Sequence, residues 1–153
     1  MTLTFTVHGT PAPQGSKSFK GHSKSGKAIL IESSKAVKPW REAVKWAALE
    51  AMRQSGNPRF PMRGPLAVTV VFTLPRPKSM PKRVLWPATR PDGDKLLRAT
   101  HDALKDAGLI QDDGQIVREW WAKAYPGWNG GIGGIGFPTM DSPGAAIDIR
   151  QII

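Results

Sequence analysis

The chain has 153 residues, 40% of them hydrophobic and 22% charged, and a formal net charge of +10 at pH 7. This composition predicts one globular domain over residues 1–153 and excludes a disordered chain. Cysteine is absent, which excludes disulfides and thiolate metal sites and suits a reducing cytoplasm. No apolar run approaches the roughly 20 residues of a membrane span, and the N-terminus lacks the pattern of a secretory signal. We therefore expect a cytoplasmic protein that does not bind membranes.

The positive charge predicts a polyanionic partner such as DNA or RNA. The alternative is a surface charge that only keeps the protein soluble. An acidic membrane is the weaker candidate, because no predicted helix combines a lysine-rich face with a fully apolar one.

The first part of the chain predicts two short strands separated by a basic segment. Residues 3–7 alternate apolar and polar side chains, as a half-buried strand does, and residues 28–31 form the second strand. The Gly/Ser-rich segment between them is either an arm that orders on a phosphate backbone or a plain solvated loop. Its basic residues are Lys17, Lys20, Lys24 and Lys27.

The middle of the chain predicts a helix and then the central strand of a sheet. Residues 40–53 have an apolar stripe, and Trp40 and Trp46 are expected in the core. Residues 66–74 are apolar on both faces, which is typical of a central strand. A proline-rich irregular connection follows. The basic residues in it that we expect to bind phosphates are Lys78, Lys82 and Arg83.

The remaining elements complete an α+β pattern. Asp94 is a candidate N-cap for a helix over residues 95–107, which Gly108 ends. Strands are predicted over residues 116–125 and 145–152. The order β-β-α-β-α-β-β predicts a single domain in which two main helices pack on a mixed sheet.

The sequence does not support a nucleotide-binding site or a histidine metal site. Gly131, Gly133 and Gly136 match G-x-G-x-x-G, but Phe137-Pro138 cannot begin the helix that a dinucleotide site requires, so a flexible hairpin tip is expected there. No phosphate-binding loop motif is present, and we predict no nucleotide cofactor. The three histidines, including His101, do not have metal-ligand spacing.

Half of the acidic residues lie in one short stretch. Six of the twelve Asp and Glu residues fall between Asp92 and Asp113, whereas Ala51 to Pro91 contains none and carries eight Lys and Arg. A positive field around a small acidic cluster suits an enzyme that binds a polyanion and holds a divalent metal at the bond it cuts.

Two pairs within this cluster suit a metal-dependent nuclease. Asp92 and Asp94 stand at the mouth of the predicted helix, and Asp112 and Asp113 follow its end. Carboxylates bind Mg²⁺, and phosphodiester cleavage uses such an ion to activate water. We expect the strand after Asp113 to pair beside the strand before the helix and so return Asp113 to Asp94. Taken singly, the same residues are also explained as a helix cap and ordinary turns.

Arg98 lies one helical turn after Asp94, at i+4, so its side chain can reach the same site. There it could stabilise charge developing on a phosphate. The alternative role is a simple salt bridge on the helix.

These motifs resemble the RusA endodeoxyribonucleases, the Holliday junction resolvases. The resemblance rests on residues 90–96 (RPDGDKL) and 102–117 (DALKDAGLIQDDGQIV), and extends to residues 7–16 and 147–149. It implies an α+β homodimer that binds four-way DNA junctions and cuts two strands symmetrically with Mg²⁺ or Mn²⁺.

The resemblance also implies roles for individual residues. Asp92, Asp94 and Asp113 match the family's essential metal-binding aspartates, and Asp112 matches an adjacent acid. Arg98 stands where the family usually has a catalytic lysine, Lys95 replaces a usual asparagine, and Gly93 replaces a more usual apolar residue. The catalytic set implied is therefore Asp92, Asp94, Asp113 and Arg98.

Two alternatives stay open at this point. One is a branch endonuclease that prefers replication forks or flaps, and the other is a non-catalytic basic DNA-binding protein. Because the family is common in bacteriophages and prophages, we expect the protein in a bacterial cytoplasm or, if phage-encoded, in that of the host.

Overall fold

The structure, a computed structural model, describes residues 1–15, 17–22, 24, 28–32, 35–127 and 140–153, with the backbone alone for 17–22 and 28–32. Its elements are β1 (Thr2–His8), β2 (Lys17–His22), β3 (Ala28–Glu32), α1 (Val37–Ser55), β4 (Leu66–Thr73), α2 (Gly93–Asp106), a 3₁₀ helix (Asp113–Gln115), β5 (Ile116–Ala124) and β6 (Gly144–Gln151). The predicted α+β fold with two helices and a mixed sheet is confirmed. The expected hairpin tip at residues 131–136 lies outside the described residues.

A four-stranded sheet has the order β1-β6-β4-β5. The β1–β6 and β6–β4 pairs are antiparallel, and β4 and β5 are parallel. The predicted central position of β4 is confirmed, since seven of its eight residues are buried and both of its edges are paired. Strand β4 is therefore paired on both sides, whereas β1 and β5 are the edge strands of this sheet.

Both helices contribute to one apolar core on the sheet. The α1 residues Trp40, Val44 and Ala48 are buried at helical spacing, and the α2 residues include Leu96, Ala103 and Leu104. They share a cluster with strand side chains such as Phe72 and Ile147. The expected burial of Trp40 is confirmed.

The prediction that Trp46 is a core residue is wrong. Trp46 follows Val44 by two positions, which turns its side chain about 200° around the helix from the buried stripe. It is 61% exposed and lies against the ammonium group of Lys45.

Two local predictions are corrected. The basic segment between the first two predicted strands contains β2, which pairs antiparallel with β3 in a separate two-stranded sheet. In addition, α2 begins at Gly93 with Asp92 as the N-cap residue, so Asp94 lies in the first turn and is not the cap.

The α2 helix connects two parallel neighbours, β4 and β5, as a crossover. It therefore begins beyond the C-terminal end of β4 and returns the chain to the N-terminal end of β5. The Gln14 backbone N–H donates to the carbonyl of Lys95 at 3.0 Å, which attaches the chain after β1 to the first turn of α2. The Arg41–Asp106 ion pair, at 2.8 Å, joins α1 to the last turn. None of the helices in the described part of the chain is long and apolar enough to cross a membrane.

Candidate active site

Asp92 and Asp94 present exposed carboxylates at the start of α2. Asp92 has extended backbone angles, and its side chain accepts no capping hydrogen bond. The Lys95 ammonium lies 3.7 Å from Asp92 Oδ2, with both side chains about half exposed (45% and 53%). A contact this long and exposed leaves the carboxylate free to bind another cation.

Asp112 and Asp113 occupy the turn that leads into β5. Asp112 Oδ1 accepts a hydrogen bond from Gly114 N at 2.7 Å, and Gln115 Oε1 accepts from Asp112 N at 3.1 Å, forming a capping box. The Gly114 N–H, helped by Asp113 and by the charge of Lys105, lowers the pKa of Asp112. Asp112 therefore caps the 3₁₀ helix in a turn, which is the structural role that the sequence analysis gave as the alternative to metal binding.

Asp113 is exposed and has a looser contact. Its Oδ1 atom lies 3.7 Å from the ammonium of Lys105, in the last turn of α2. Asp113 is thus tied to the end of the helix, whereas Asp92 and Asp94 lie at its beginning.

The structure does not bring the two acidic pairs together. The 14 residues of α2 span about 21 Å. β5 has nine residues, which extend about 30 Å. The expectation that β5 returns Asp113 to Asp94 is wrong within one chain, because parallel pairing with β4 places Asp113 at the opposite end of the sheet. Among the described residues, no three His, Cys, Asp or Glu side chains form a group that could hold a metal ion.

Arg98 is exposed one turn after Asp94, on the same side of α2. Among the described side chains, no ion pair joins these two residues, so the guanidinium is not committed to a salt bridge with Asp94.

His101, also on α2, contacts Glu119 of β5, with Nε2 2.6 Å from Oε1 and both side chains mostly buried. That contact fastens α2 to β5.

The basic residues that were expected to bind phosphates are partly described. Lys78, Lys82 and Arg83 are exposed in the connection between β4 and α2, which runs directly into Asp92. Arg76 shapes this connection by donating to the carbonyl of Pro81 at 2.7 Å. Lys24 is exposed, and the side chains of Lys17, Lys20 and Lys27 lie outside the described residues.

A cavity of about 560 Å³ adjoins Asp92. Its walls combine the charged Arg90 and Lys95 with apolar surface from Pro11, Ala12 and Pro91. A cation-bearing cleft beside Asp92 is large enough for part of a nucleotide, and it was not visible in the sequence because its walls come from three separate parts of the chain, residues 11–15, Ala36 and residues 90–95.

Two side chains of β5 contact the acidic segment and were missed by sequence reasoning. Trp121 packs on Gly93, between Asp92 and Asp94, and the ammonium of Lys123 donates to the carbonyls of Thr89 and Pro91 at 2.8 and 3.0 Å. Residues 121 and 123 share one face of a strand, which was the signal available in the sequence. What the sequence did not show was that this face turns towards the start of α2.

Comparison with known proteins agrees with the motifs. The family model described as Endodeoxyribonuclease RusA matches residues 8–132. The chain is also similar to the uncharacterized protein YqaN of Bacillus subtilis (strain 168), with 29% identity over 133 residues, 80% of this chain and 87% of the relative. The family match includes both acidic pairs and the helix between them. As its motifs indicated, the chain belongs to the RusA family of endodeoxyribonucleases, whose members resolve Holliday junctions.

Proposed function

We propose that this protein is a Mg²⁺-dependent endonuclease that resolves Holliday junctions by paired symmetric nicks during DNA recombination and repair, in a bacterial or phage-infected cytoplasm. Family membership supports the nuclease activity. The observation that carries the finer proposal is the exposed Asp92–Asp94 pair at the end of a basic connection. A polyanion drawn to Lys78, Lys82 and Arg83 would lie beside two available carboxylates.

The donor atoms fit a hard divalent cation. Mg²⁺ is usually held by one or two carboxylates and keeps several waters for a phosphate oxygen to replace. Asp92 and Asp94 are two carboxylates two residues apart, both exposed, and among the described side chains Asp92 has a weak ion-pair partner in Lys95. When bound, Mg²⁺ or Mn²⁺ would supply an activated water and would neutralise charge on the phosphate.

A third carboxylate ligand, Asp113, would come from a second chain. Asp113 matches the family's metal-binding aspartate, yet it lies about 20 Å away, at the far end of α2. A ligand shared across a homodimer resolves this conflict, with Asp113 of the partner subunit completing each site. We therefore propose a homodimer whose two sites are each built from both chains.

The edge position of β5 favours such an arrangement. In the described part of the chain no strand pairs with the outer side of β5, and its residues Val117 and Trp121 are 62% and 40% exposed. If two β5 strands paired antiparallel about a two-fold axis near Arg118, Asp113 of one chain would lie opposite Lys123 of the other. Lys123 contacts Pro91, directly before Asp92, so the partner's acid would enter the correct end of α2.

The chain's other polar groups suit binding and charge stabilisation. We assign Arg98 to the phosphate, where its guanidinium would stabilise negative charge that increases in the transition state. Lys17, Lys20, Lys24, Lys27, Lys78, Lys82 and Arg83 would bind the DNA backbone on either side. No residue in this scheme reads base sequence.

The test is cleavage of labelled four-way junction, replication fork and linear duplex DNA, in Mg²⁺ and in EDTA. We expect paired symmetric nicks in the junction only with metal. The Asp92→Asn variant should lose at least about 100-fold in rate, because it removes a ligand of the catalytic metal. Asp141→Asn, an exposed acid outside the cluster, is the matched control and should cut normally.

The other outcomes separate the alternatives. Cutting mainly at the fork would keep the nuclease chemistry and identify a different branch preference. Tight, salt-dependent junction binding without cleavage in any metal would indicate a non-catalytic binding protein. Intact cleavage by Asp92→Asn would remove the proposed site.

A further inference from the structure

The face of β5 that turns towards α2 makes a series of contacts along the helix. Glu119 meets His101, Trp121 meets Gly93, and Lys123 meets the backbone that precedes Asp92. Alternate residues of a strand share one face, so these three side chains lie in a row along the same face of β5. The last two contacts bracket Asp92.

The Trp121 ring occupies the space that a side chain at position 93 would need. A Cβ atom built on Gly93 would overlap the ring atoms Cη2 and Cζ3 of Trp121 and would lie 2.6 Å from Cζ2. Gly93 is buried by this ring, although Trp121 itself is 40% exposed. The far end of the indole therefore rests directly on the peptide backbone between the two carboxylates.

Lys123 contacts the same segment on the N-terminal side of Asp92. Its ammonium donates to Thr89 O at 2.8 Å and to Pro91 O at 3.0 Å. Both acceptors are neutral main-chain carbonyls, so these hydrogen bonds orient the backbone and leave the carboxylates available. Charge-assisted hydrogen bonds of this kind are stronger than neutral ones.

Asp92 needs such external support. Its carboxylate makes no capping hydrogen bond, and its contact with Lys95 is 3.7 Å long. The direction of the side chain is thus set mainly by the backbone that bears it. A metal site requires its ligands within a few tenths of an ångström of the correct geometry.

We infer that Trp121 and Lys123 are positioning residues, which hold residues 89–93 so that Asp92 and Asp94 face one divalent cation together. This inference rests on the proposed function, because it presumes that these carboxylates bind the metal. Trp121 and Lys123 do not touch the metal or the scissile phosphate. They act on the backbone from β5.

The test measures Mn²⁺ affinity by isothermal titration calorimetry, without DNA, for the Trp121→Ala and Lys123→Met variants. Loss of a group that orients a metal ligand typically weakens metal affinity about 10–100-fold, and we expect at least about 10-fold for each variant. Trp46→Ala, which removes another exposed tryptophan from α1, is the matched control and should bind Mn²⁺ normally. Thermal denaturation confirms that each variant is folded.

A second variant separates positioning from DNA contact. Trp121→Phe keeps an aromatic face for a nucleobase, but its shorter side chain no longer reaches Gly93. We expect Trp121→Phe to lose Mn²⁺ affinity as Trp121→Ala does, and both to bind four-way junctions in EDTA within about 3-fold of the parent. Stacking on a base would instead show as a ~10-fold or larger loss of junction affinity in Trp121→Ala that phenylalanine restores.

The results distinguish this inference from the proposed function. If Asp92→Asn abolishes Mn²⁺ binding while folded Trp121→Ala and Lys123→Met retain it, the positioning roles are wrong and the metal site stands. If Asp92→Asn binds Mn²⁺ and cleaves as the parent does, the proposed function itself is wrong. Junction affinity that falls in EDTA with unchanged Mn²⁺ affinity would overturn positioning in favour of a DNA contact.

Discussion

At the scale of single residues, Gly93 and Trp121 form the most informative pair. Glycine is a poor helix former, and the family resemblance made Gly93 a departure from a more usual apolar residue. The structure gives the physical reason, since the Trp121 ring lies where that side chain would be. The two residues therefore have to be considered together, although 28 positions separate them in the sequence.

Gly93→Ala should destabilise the protein by about 1–3 kcal/mol, because the methyl group overpacks against the indole. In a Trp121→Ala background the same substitution should cost nothing, or gain up to about 1 kcal/mol, since alanine is then the better helix former. Chemical denaturation of the four proteins in this double-mutant cycle measures the coupling. Additive effects would show that the ring and position 93 do not compete for space.

At the scale of elements, Gln115 fixes the turn that carries Asp113. Its side-chain oxygen accepts from the backbone N–H groups of Gln111 and Asp112 at 2.8 and 3.1 Å. Its amide nitrogen donates to the carbonyls of Met62 and Gly64, both at 3.0 Å. One side chain thus joins the end of the α2 crossover to the segment that enters β4.

Gln115→Ala should lower the free energy of unfolding by about 1–3 kcal/mol, because four backbone groups lose their partner at once. The measurement is urea denaturation, with Gln111→Ala as control because it removes a nearby amide and leaves the Gln111 backbone bond in place. A loss no larger than that of the control would show that water replaces the Gln115 hydrogen bonds.

The periodic elements were predictable from the sequence, and their ends and pairings were less so. β4 and both helices have apolar patterns that depend only on local spacing, and they were found within three residues at each end. β2 was missed because its basic, Gly/Ser-rich sequence has no strand alternation. The start of α2 was placed too late, because Asp92 and Asp94 are equally good cap residues by type.

At the scale of the whole molecule, a basic segment of the chain leads directly into an acidic one. Basic residues populate the connection after β4, and the acids Asp92 and Asp94 follow it immediately. The acidic cluster was therefore visible in the sequence. The separation of its two pairs by a helix was visible as well, but the failure of β5 to return Asp113 to Asp94 was not, because it follows from the parallel pairing of β4 with β5, a tertiary contact that no local pattern encodes.

Replacing Lys78, Lys82 and Arg83 together with alanine should weaken junction binding in EDTA and flatten its dependence on salt. Each lost phosphate contact should reduce the slope of log K against log salt by about 0.9. Fluorescence anisotropy at several KCl concentrations measures this slope. Lys45, Arg53 and Arg59, changed together, are a charge-matched control from α1 and its neighbourhood. Equal effects of the two triple variants would mean that only net charge matters.

The two-chain site is tested most directly by mixing inactive subunits. Asp92→Asn and Asp113→Asn chains, each inactive alone, are unfolded together, refolded and assayed on a labelled four-way junction with Mg²⁺. A heterodimer would contain one site with both substitutions and one with neither, so we expect recovery of single-strand nicking without paired cuts. The control mixture of Asp92→Asn with Asp94→Asn should stay inactive, because both of its sites lack a ligand. No recovery in the first mixture, with heterodimers present, would contradict a metal site shared between two chains.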